Sequence, residues 1–246
     1  MLKLLVDGDM MAYISSAAVE QEVTFGDVCH LYSSSSDAKA VFTNKMNYLI
    51  ETLLIKLKHK GKFEVLYTFS DDDHNFRKDV LPEYKANRNS KRKPVCYKEL
   101  VEWVKETYKT LNVAHIEADD LMGILGTQCD NTVILSGDKD LKQIPTRIFN
   151  VLSGELTTTT KEESFRLFLY QTLIGDTTDN YKGCPKMGPV TATKLLDKDC
   201  SWKAVVEAYK KQGLTEEDAL QQARVARILQ DGEYDFKTGK VTLWNP

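Results

Sequence analysis

Residues 116–141 most constrain what this chain can fold into, because they hold five carboxylates in two tight groups. The groups are Glu117, Asp119 and Asp120, and then Asp138 and Asp140. Between them lie a helix-like segment, 121–129, and a short apolar, β-branched run, 132–135. Such a run is typical of a buried parallel strand, and ligands of open α/β sheets bind beyond the carboxyl ends of such strands. The second acidic group is therefore predicted to face a crevice.

Two other apolar runs end in acids in the same way. Residues 2–6 read as a buried strand that ends at Asp7, and residues 64–69 read as a strand followed by Asp71. Further strands are predicted at 147–152 and in a hairpin through 238–244. Helices are predicted at 10–18, 42–58, 97–111, 162–174, 189–196, 201–212 and 216–230. The pattern predicts an α/β fold, a mostly parallel central sheet flanked by helices, with residues 20–38 as an inserted loop or flap and a threonine-rich turn at 157–160.

Length and composition are those of one globular domain of ordinary make-up, with 246 residues and 42% hydrophobic residues. No apolar run approaches the roughly 20 residues of a membrane span, so we expect no membrane contact and a cytoplasmic protein. The sequence leaves the oligomeric state open. The five cysteines are scattered and form no C-x-x-C pair, which indicates free thiols and counts against a zinc site.

Basic residues concentrate in one polar stretch, 77–94, although the formal net charge is −3. This stretch contains Tyr84 beside Lys85. It has two interpretations, a solvated surface loop or a contact to single-stranded nucleic acid, which uses aromatic and phosphate-binding side chains together.

A second stretch, 175–188, is rich in glycine and other turn residues and lies between two predicted helices. A turn of this kind exposes backbone N–H groups, and the following helix offers its positive N-terminus. The combination is suited to binding the phosphates of a duplex.

The acids at strand ends and turns form a set that would repel itself without cations. Its members are Asp7, Asp71, Glu117, Asp119, Asp120, Asp138, Asp140, Asp176 and Asp179. Oxygen ligands with no neighbouring His or Cys favour Mg²⁺ or Mn²⁺, and two ions about 4 Å apart would catalyse phosphodiester hydrolysis. The alternative is that aspartates at 119, 140 and 179 only cap helices. Capping does not require clusters repeated at successive strand ends.

Several motifs together resemble the 5′-nuclease (flap endonuclease) superfamily, and in particular the 5′→3′ exonucleases of bacteriophages. They are Val6-Asp-Gly8, Phe69-Ser-Asp71, Arg77 with 81–88, Glu117-Ala-Asp-Asp120, Ser136-Gly-Asp-Lys-Asp140 and Gly175-Asp-Thr-Thr-Asp-Asn180. The resemblance spans nearly the whole chain. It implies a single 5′-nuclease domain, 1–246. Residues 1–160 would be the acidic catalytic core, including a helical arch at about 77–97, and 161–246 a helical duplex-binding region with a helix-turn-helix-like element.

The resemblance also implies roles for individual residues. Asp7, Asp71, Glu117 and Asp119 would hold one metal ion, and Asp138, Asp140 and Asp179 the other, with Asp120 and Asp176 close by. Lys85 and Arg88 would contact the scissile phosphate, completing the catalytic set, and Tyr84 would stack on a base near the 5′ end. Lys186 stands where the family usually has a glycine. The predicted DNA-binding residues are Arg77, Tyr84, Lys85, Arg88, Lys91, Arg92, Lys93, Lys182, Gly183, Lys186, Gly188 and Lys194.

Three functions remain for the structure to address. The first is a Mg²⁺-dependent 5′→3′ exonuclease of phage DNA replication or degradation, acting in an infected bacterial cell. Its substrate would be double-stranded DNA with a 5′ end or flap, with RNA–DNA hybrid as a further substrate. The second is a PIN-like ribonuclease, which would not need 175–196 as a duplex grip. The third is a non-catalytic DNA-binding protein, which gains nothing from acids that repel phosphates.

Overall fold

A computed structural model of the chain describes residues 1–88 and 92–246. The strands are β1 (Leu2–Asp7), β2 (Gln21–Phe25), β3 (Val28–Tyr32), β4 (Phe63–Phe69), β5 (Thr110–Asn112), β6 (Thr132–Ser136), β7 (Arg147–Asn150), β8 (Leu156–Thr158), β9 (Tyr234–Asp235) and β10 (Lys240–Val241). The α-helices are α1 (Gly8–Ala17), α2 (Ser35–Lys56), α3 (Arg77–Val80), α4 (Tyr97–Thr107), α5 (Ala118–Gln128), α6 (Lys161–Ile174), α7 (Pro189–Lys198), α8 (Trp202–Lys211) and α9 (Glu216–Ala226). Short 3₁₀ turns cover Ala86–Arg88 and Asp140–Gln143.

The central sheet has the strand order β5-β4-β1-β6-β7-β8 within the described residues. Neighbouring strands from β5 to β7 are parallel, and β8 runs antiparallel to β7 at the edge. This confirms the predicted mostly parallel sheet. β1 and β6 are adjacent and parallel. Asp7, the last residue of β1, and Asp138, two residues after β6, therefore reach the same edge of the sheet.

Helices cover both faces of the sheet, as buried parallel strands require. On one face, α1, α2 and α4 pack on β1 and β4 through side chains such as Phe42, Leu53 and Val104. On the other face, Leu5 and Ile134 of the sheet pack against Met122 of α5 and against Ile228. Helices α6–α9 enclose a separate core that includes Phe168, Leu173, Val205, Tyr209 and Ala223.

The structure corrects several predicted boundaries. Residues 20–38 are not a loop, because β2 and β3 pair as a hairpin whose turn, Gly26-Asp27, has Gly26 at φ +60°, and α2 already begins at Ser35. The helix predicted to reach residue 111 ends at Thr107, where Tyr108 becomes extended and packs beside Phe42.

Two other predictions were wrong. One missed a strand, and the other made a helix too long. The supposed threonine-rich turn, 157–160, contains part of β8, which pairs with β7. The helix predicted at 216–230 ends at Ala226. At this end the Arg77 guanidinium donates hydrogen bonds to the Val225 and Arg227 carbonyls. The C-terminal hairpin is confirmed by the pairing of β9 with β10. None of the helices within 1–88 and 92–246 is long and apolar enough to cross a membrane.

Candidate active site

Acidic side chains from four parts of the chain converge at the carboxyl edge of the sheet. They come from the end of β1, the start of α5, the turn after β6 and the turn after α6: Asp7, Glu117, Asp119, Asp138, Asp140, Asp176 and Asp179. We call these residues the acid cluster. A cavity of about 30 Å³, large enough for one water or ion, lies among Glu117, Asp119, Asp140 and Asp179.

Ser136, the last residue of β6, fixes the two acids of adjacent strands. Its hydroxyl donates to Asp7 Oδ2 at 2.8 Å and accepts from the Asp138 backbone N–H at 3.1 Å. Asp7 also caps α1 by accepting from the Met10 N–H, and Asp138 accepts from the Asp140 N–H. Asp7 and Asp138 are therefore held in place by hydrogen bonds at their own strand end and turn. Asp7 is both a member of the acid cluster and the N-cap of α1.

Burial and mutual repulsion disfavour ionisation of several cluster members. Burial, with repulsion from Asp9 and Asp138, raises the pKa of Asp7 to about 6. Burial and the charges of Asp138 and Asp7 raise the pKa of Asp119 well above its usual value. Burial and Asp138 likewise raise the pKa of Asp140 to about 6. Because burial and repulsion disfavour the ionised carboxylates, a bound cation would stabilise their ionised forms.

Asp140 is oriented by a buried amide relay that the sequence analysis missed. Gln171 of α6 donates from Nε2 to Asp140 Oδ1 at 2.8 Å, and its Oε1 accepts from Gln143. Gln143 also donates to the Ala226 carbonyl at 2.8 Å. The sequence signal for this role was a glutamine, Gln171, on the same predicted helix as the apolar Phe168 and Leu169, all three of which are buried in the structure.

Basic side chains of the segment 77–88 neutralise the other side of the cluster. The Lys85 ammonium forms an ion pair with Glu117 and lies 3.7 Å from Asp179 Oδ2. Arg88 forms an ion pair with Asp179 and donates from Nε to the Thr178 carbonyl. Burial alone would raise the pKa of Glu117, but Lys85 and Arg77 lower it to about 2. Glu117 is thus ionised and paired with protein cations.

The segment is docked on the turn after α6 through backbone and side-chain contacts. The Lys85 N–H donates to the Asp179 carbonyl at 2.8 Å, and Asn180 Nδ2 donates to the Glu83 carbonyl at 2.7 Å. Asn87 Nδ2 donates to the Thr177 carbonyl at 2.9 Å. Lys85 and Asn180 both have positive φ angles, +56° and +60°, at the two facing positions. Lys85 and Arg88 therefore reach the acids from a firmly seated segment.

Tyr84 does not have the predicted base-stacking position. Its side chain is only 2% exposed, and its hydroxyl donates to Glu117 Oε2 at 3.0 Å and to Asp179 Oδ2 at 3.1 Å. Burial and the Glu117 charge raise its pKa well above the usual value, so the hydroxyl remains a donor. In this conformation Tyr84 supports the acid cluster and offers no ring face to a base.

Arg77, predicted to bind DNA, and Asp120, predicted to lie near the metal, instead pair with each other in this structure. Both are buried, and the Arg77 guanidinium forms a bidentate pair with Asp120, with both N–O distances at 2.7 Å. Asp120 further accepts from the Glu117 and Leu229 N–H groups. In this structure these bonds occupy both side chains. Their pair instead joins the start of α5 to the end of α9.

Asp71 does not join the acid cluster, contrary to expectation. Its carboxylate accepts from the His115 N–H at 2.7 Å and from the Asp73 N–H at 3.1 Å. Burial would raise the pKa of Asp71, but these N–H groups lower it. Asp9, by contrast, lies close enough to Asp7 to raise its pKa, and it accepts from the Ser70 N–H and the Tyr97 hydroxyl. Asp71 therefore fixes a turn.

The predicted DNA contacts at positions 92 and 93 differ from each other in the structure. Arg92 is occupied, because its guanidinium donates to both carboxylate oxygens of Glu20 at 2.8 and 2.6 Å. Lys93 is exposed and lies 3.5 Å from Asp72. Lys91 lies outside the described residues.

Gly183 is buried and packed, which contradicts its predicted contact with DNA. Its N–H donates to Gln222 Oε1, and a Cβ there would lie 2.3 Å from the Gly175 nitrogen. Lys182, Lys186, Gly188 and Lys194 are exposed around the start of α7. A Cβ on Gly188 would meet nothing within 4 Å, and Lys186 adopts φ +59°, the left-handed conformation that a glycine favours.

The donor set of the acid cluster fits a hard divalent cation, because it consists of carboxylates around a small polar cavity. Among the described residues, however, no three acidic, histidine or cysteine side chains are grouped closely enough to hold an ion as they stand. Two of the cluster acids, Glu117 and Asp179, are ion-paired with Lys85 and Arg88. A metal ion bound there would compete with those two cations for the same carboxylates.

A family model described as the 5′-3′ exonuclease, N-terminal resolvase-like domain, matches residues 3–168. The chain belongs to the 5′-3′ exonuclease family. It is 28% identical to the exodeoxyribonuclease of Enterobacteria phage T3, over 99% of this chain and 92% of that protein. It is also 28% identical to the exonuclease of Escherichia phage T7, over 99% and 93%. The exonuclease family assignment favours the first of the three functions, a nuclease acting on DNA.

The fold of this exonuclease is similar to that of the bacteriophage T5 5′-exonuclease with zinc ions bound. The TM-score is 0.64, at 17% sequence identity, over 91% of this chain and 88% of that chain. A complex of the T5 flap endonuclease with DNA and metal ions gives a TM-score of 0.61 at 16% identity, with the same coverage. At these identities the likeness establishes the 5′-nuclease fold.

Proposed function

We propose that this exonuclease uses divalent metal ions to hydrolyse phosphodiester bonds from the 5′ end or 5′ flap of double-stranded DNA. The observation that carries the proposal is the acid cluster itself, in which four carboxylates, some ionised and some proton-binding, line part of a small cavity at the carboxyl edge of the sheet. A pure DNA-binding surface would be weakened by these charges. The T5 relative crystallised with DNA and metal ions supports the same function.

The metal would be Mg²⁺, with Mn²⁺ as a substitute, and two ions would be held by the acid cluster. One would be shared by Asp7, Glu117 and Asp119, and the other by Asp138, Asp140 and Asp179, with Asp176 adjacent. When bound, such ions polarise the phosphate and lower the pKa of a water that attacks it. Carboxylate ligands without nitrogen or sulfur donors are the set that Mg²⁺ prefers.

Lys85 and Arg88 would exchange partners during the reaction. Without substrate they are paired with Glu117 and Asp179. With those acids engaged by metal, both cations would be free to contact the scissile phosphate. There the Lys85 ammonium would donate to the non-bridging oxygens, which gain charge in the transition state. The Tyr84 hydroxyl would keep Glu117 and Asp179 oriented throughout.

The duplex would bind along the start of α7, beside the acid cluster. The exposed lysines Lys182, Lys186 and Lys194 would contact phosphates, and Gly188 leaves room for the backbone to approach the N-terminus of α7. Lys93 would add a contact on the other side of the site. The same path would accept an RNA–DNA hybrid, because phosphate contacts carry no sequence information. The setting would be DNA replication or degradation in the cytoplasm of a phage-infected cell.

The proposal is tested with duplex DNA labelled at one 5′ end, incubated with and without Mg²⁺. We expect short 5′ products only with Mg²⁺, and faster release from a 5′-flapped duplex or a recessed 3′ strand than from single-stranded RNA. Metal-independent cleavage, or products released first from the 3′ end, would contradict it.

A further inference from the structure

A large apolar groove lies at the opposite end of the sheet from the acid cluster. It has a volume of about 930 Å³ and runs between the second half of α2, the start of β4 and Tyr108. Its apolar lining includes Ile50, Leu54, Ile55, Phe63, Val65 and Tyr108. Ile55 and Phe63 are 69% and 40% exposed, which is unusual for neighbouring large apolar side chains. The catalytic proposal makes no use of this groove.

The rim of the groove is predominantly basic. Lys58 and Lys60, in the turn that joins α2 to β4, are exposed. Lys109, just before β5, is also exposed but forms an ion pair with Glu64 of β4. His59 adds a further titratable group, and Glu51 is the acid among the lining residues. An apolar floor with lysines at the edge is complementary to a ligand that combines apolar and acidic groups.

One wall of the groove is an open strand edge. The Leu2 N–H donates to the Lys62 carbonyl on the β1 side of β4, whereas the Tyr67 N–H donates to the Lys109 carbonyl on the β5 side. Backbone groups of alternate residues point to the same side, so Phe63 and Val65 direct theirs toward β5. Pairing with β5 begins only at Tyr67. On the β5 side, the described part of the chain therefore supplies no strand partner for Phe63 and Val65, which pair only with β1 on the other side.

We propose that this groove binds an extended acidic segment of a partner protein, added as a short strand to the open edge of β4. Main-chain hydrogen bonds to Phe63 and Val65 would align the segment. Its apolar side chains would enter the groove, and its acidic side chains would pair with Lys58 and Lys60. Because the groove lies at the amino ends of the strands, the partner would tether the nuclease without covering the acid cluster.

The probe is a short fluorescent peptide in which valine and phenylalanine alternate with aspartate, with binding followed by fluorescence anisotropy. We expect saturable binding to the full chain, and loss of binding when lysine replaces each aspartate. Two further peptides carry N-methyl groups on alternate residues, in the two possible registers. Strand addition requires that methylation in one register abolishes binding while methylation in the other is tolerated.

The matched protein variants are Lys58→Glu with Lys60→Glu, and Lys237→Glu with Lys240→Glu on the remote C-terminal hairpin. The first pair should weaken peptide binding by about tenfold or more, because two favourable charges become repulsive, whereas the second should leave it unchanged. Both variants should cleave free duplex DNA at the wild-type rate, so the outcome is separate from that of the nuclease proposal.

Three results would overturn the inference. The first is no saturable binding up to about 1 mM peptide. The second is equal weakening by the two variants, which would indicate a general charge effect. The third is self-association of the chain, measured by sedimentation, that Lys58→Glu with Lys60→Glu abolishes. That result would assign the groove to a second copy of this chain.

Discussion

The ammonium of Lys85 forms an ion pair with the carboxylate of Glu117 inside the acid cluster. The pair joins the docked segment 77–88 to the start of α5, and the Tyr84 hydroxyl donates to the same carboxylate. A protein cation thus neutralises one of the acids proposed to hold metal. Metal binding and the position of Lys85 are therefore linked.

Replacing Lys85 with alanine should separate its competition with metal ions from its contribution to the cleavage rate. We expect the affinity for Mn²⁺, measured by calorimetry without DNA, to rise several-fold, because one competing cation is removed. The single-turnover cleavage rate should fall by roughly 10²–10³-fold, because a donor to the charged transition state is lost. Lys93→Ala, a change at an exposed lysine, is the control and should leave metal affinity unchanged.

DNA affinity of Lys85→Ala, measured in Ca²⁺, should change by less than about tenfold. A large loss of DNA affinity with an unchanged single-turnover rate would make Lys85 an ordinary phosphate contact and contradict the assignment.

The buried pair of Arg77 and Asp120 should matter for stability. Arg77→Ala leaves the Asp120 carboxylate buried without its partner, which costs about 3–5 kcal/mol of the free energy of unfolding. Chemical denaturation measures this loss. The double change, Arg77→Ala with Asp120→Ala, should be less destabilising than the sum of the single changes, because no unpaired charge remains. Additive losses would show that the two side chains do not act as a pair.

The proposed duplex path predicts a selective change in salt dependence. Lys186→Ala and Lys194→Ala should each flatten the log–log slope of DNA affinity against salt by about one unit, since each removes one phosphate contact. Arg92→Ala is the matched comparison and should not change the slope, because Glu20 already holds its guanidinium. If Arg92→Ala flattened the slope and the lysine changes did not, the DNA path would lie elsewhere.

The acid cluster should make Mg²⁺ stabilisation depend on pH. Asp7 and Asp140 have pKa values raised to about 6 from a usual 3.8, so their ionisation between these values destabilises the metal-free protein. Protons also compete with metal below about pH 6. The rise in Tm caused by Mg²⁺ should therefore be larger near pH 8 than near pH 5. An equal rise at both pH values would exclude these carboxylates as ligands.

The acids at strand ends were predictable from sequence because a buried parallel strand can be recognised as a continuous apolar run in the sequence. An apolar run such as 132–135 marks the strand, and the sheet topology carries the next acids to a common edge. This logic located Asp7, Asp138 and Asp140 correctly at that edge. It failed for Asp71, because a turn residue that follows a strand can equally accept from local N–H groups such as that of His115.

The pairing of polar residues could not be predicted from spacing. Arg77 and Asp120 are 43 positions apart, and either a buried pair or two ligand contacts would suit the same residue types. Tyr84 is similar, because an aromatic residue among lysines suits both a base contact and a hydroxyl donor to buried acids. Tertiary packing decides between these alternatives, and a local pattern carries no information about it.

The most direct test compares Asp138→Asn with Asp71→Asn in the cleavage of 5′-labelled duplex DNA with Mg²⁺. Asp138 belongs to the acid cluster, whereas Asp71 only fixes a turn, although both carboxylates follow strands of the same sheet. We predict that Asp138→Asn abolishes cleavage while DNA binding in Ca²⁺ is unchanged or tighter, since the change removes a metal ligand and a negative charge. Asp71→Asn should retain most of the cleavage rate. Near-normal turnover by Asp138→Asn would contradict the assignment of the acid cluster as the metal-dependent catalytic centre.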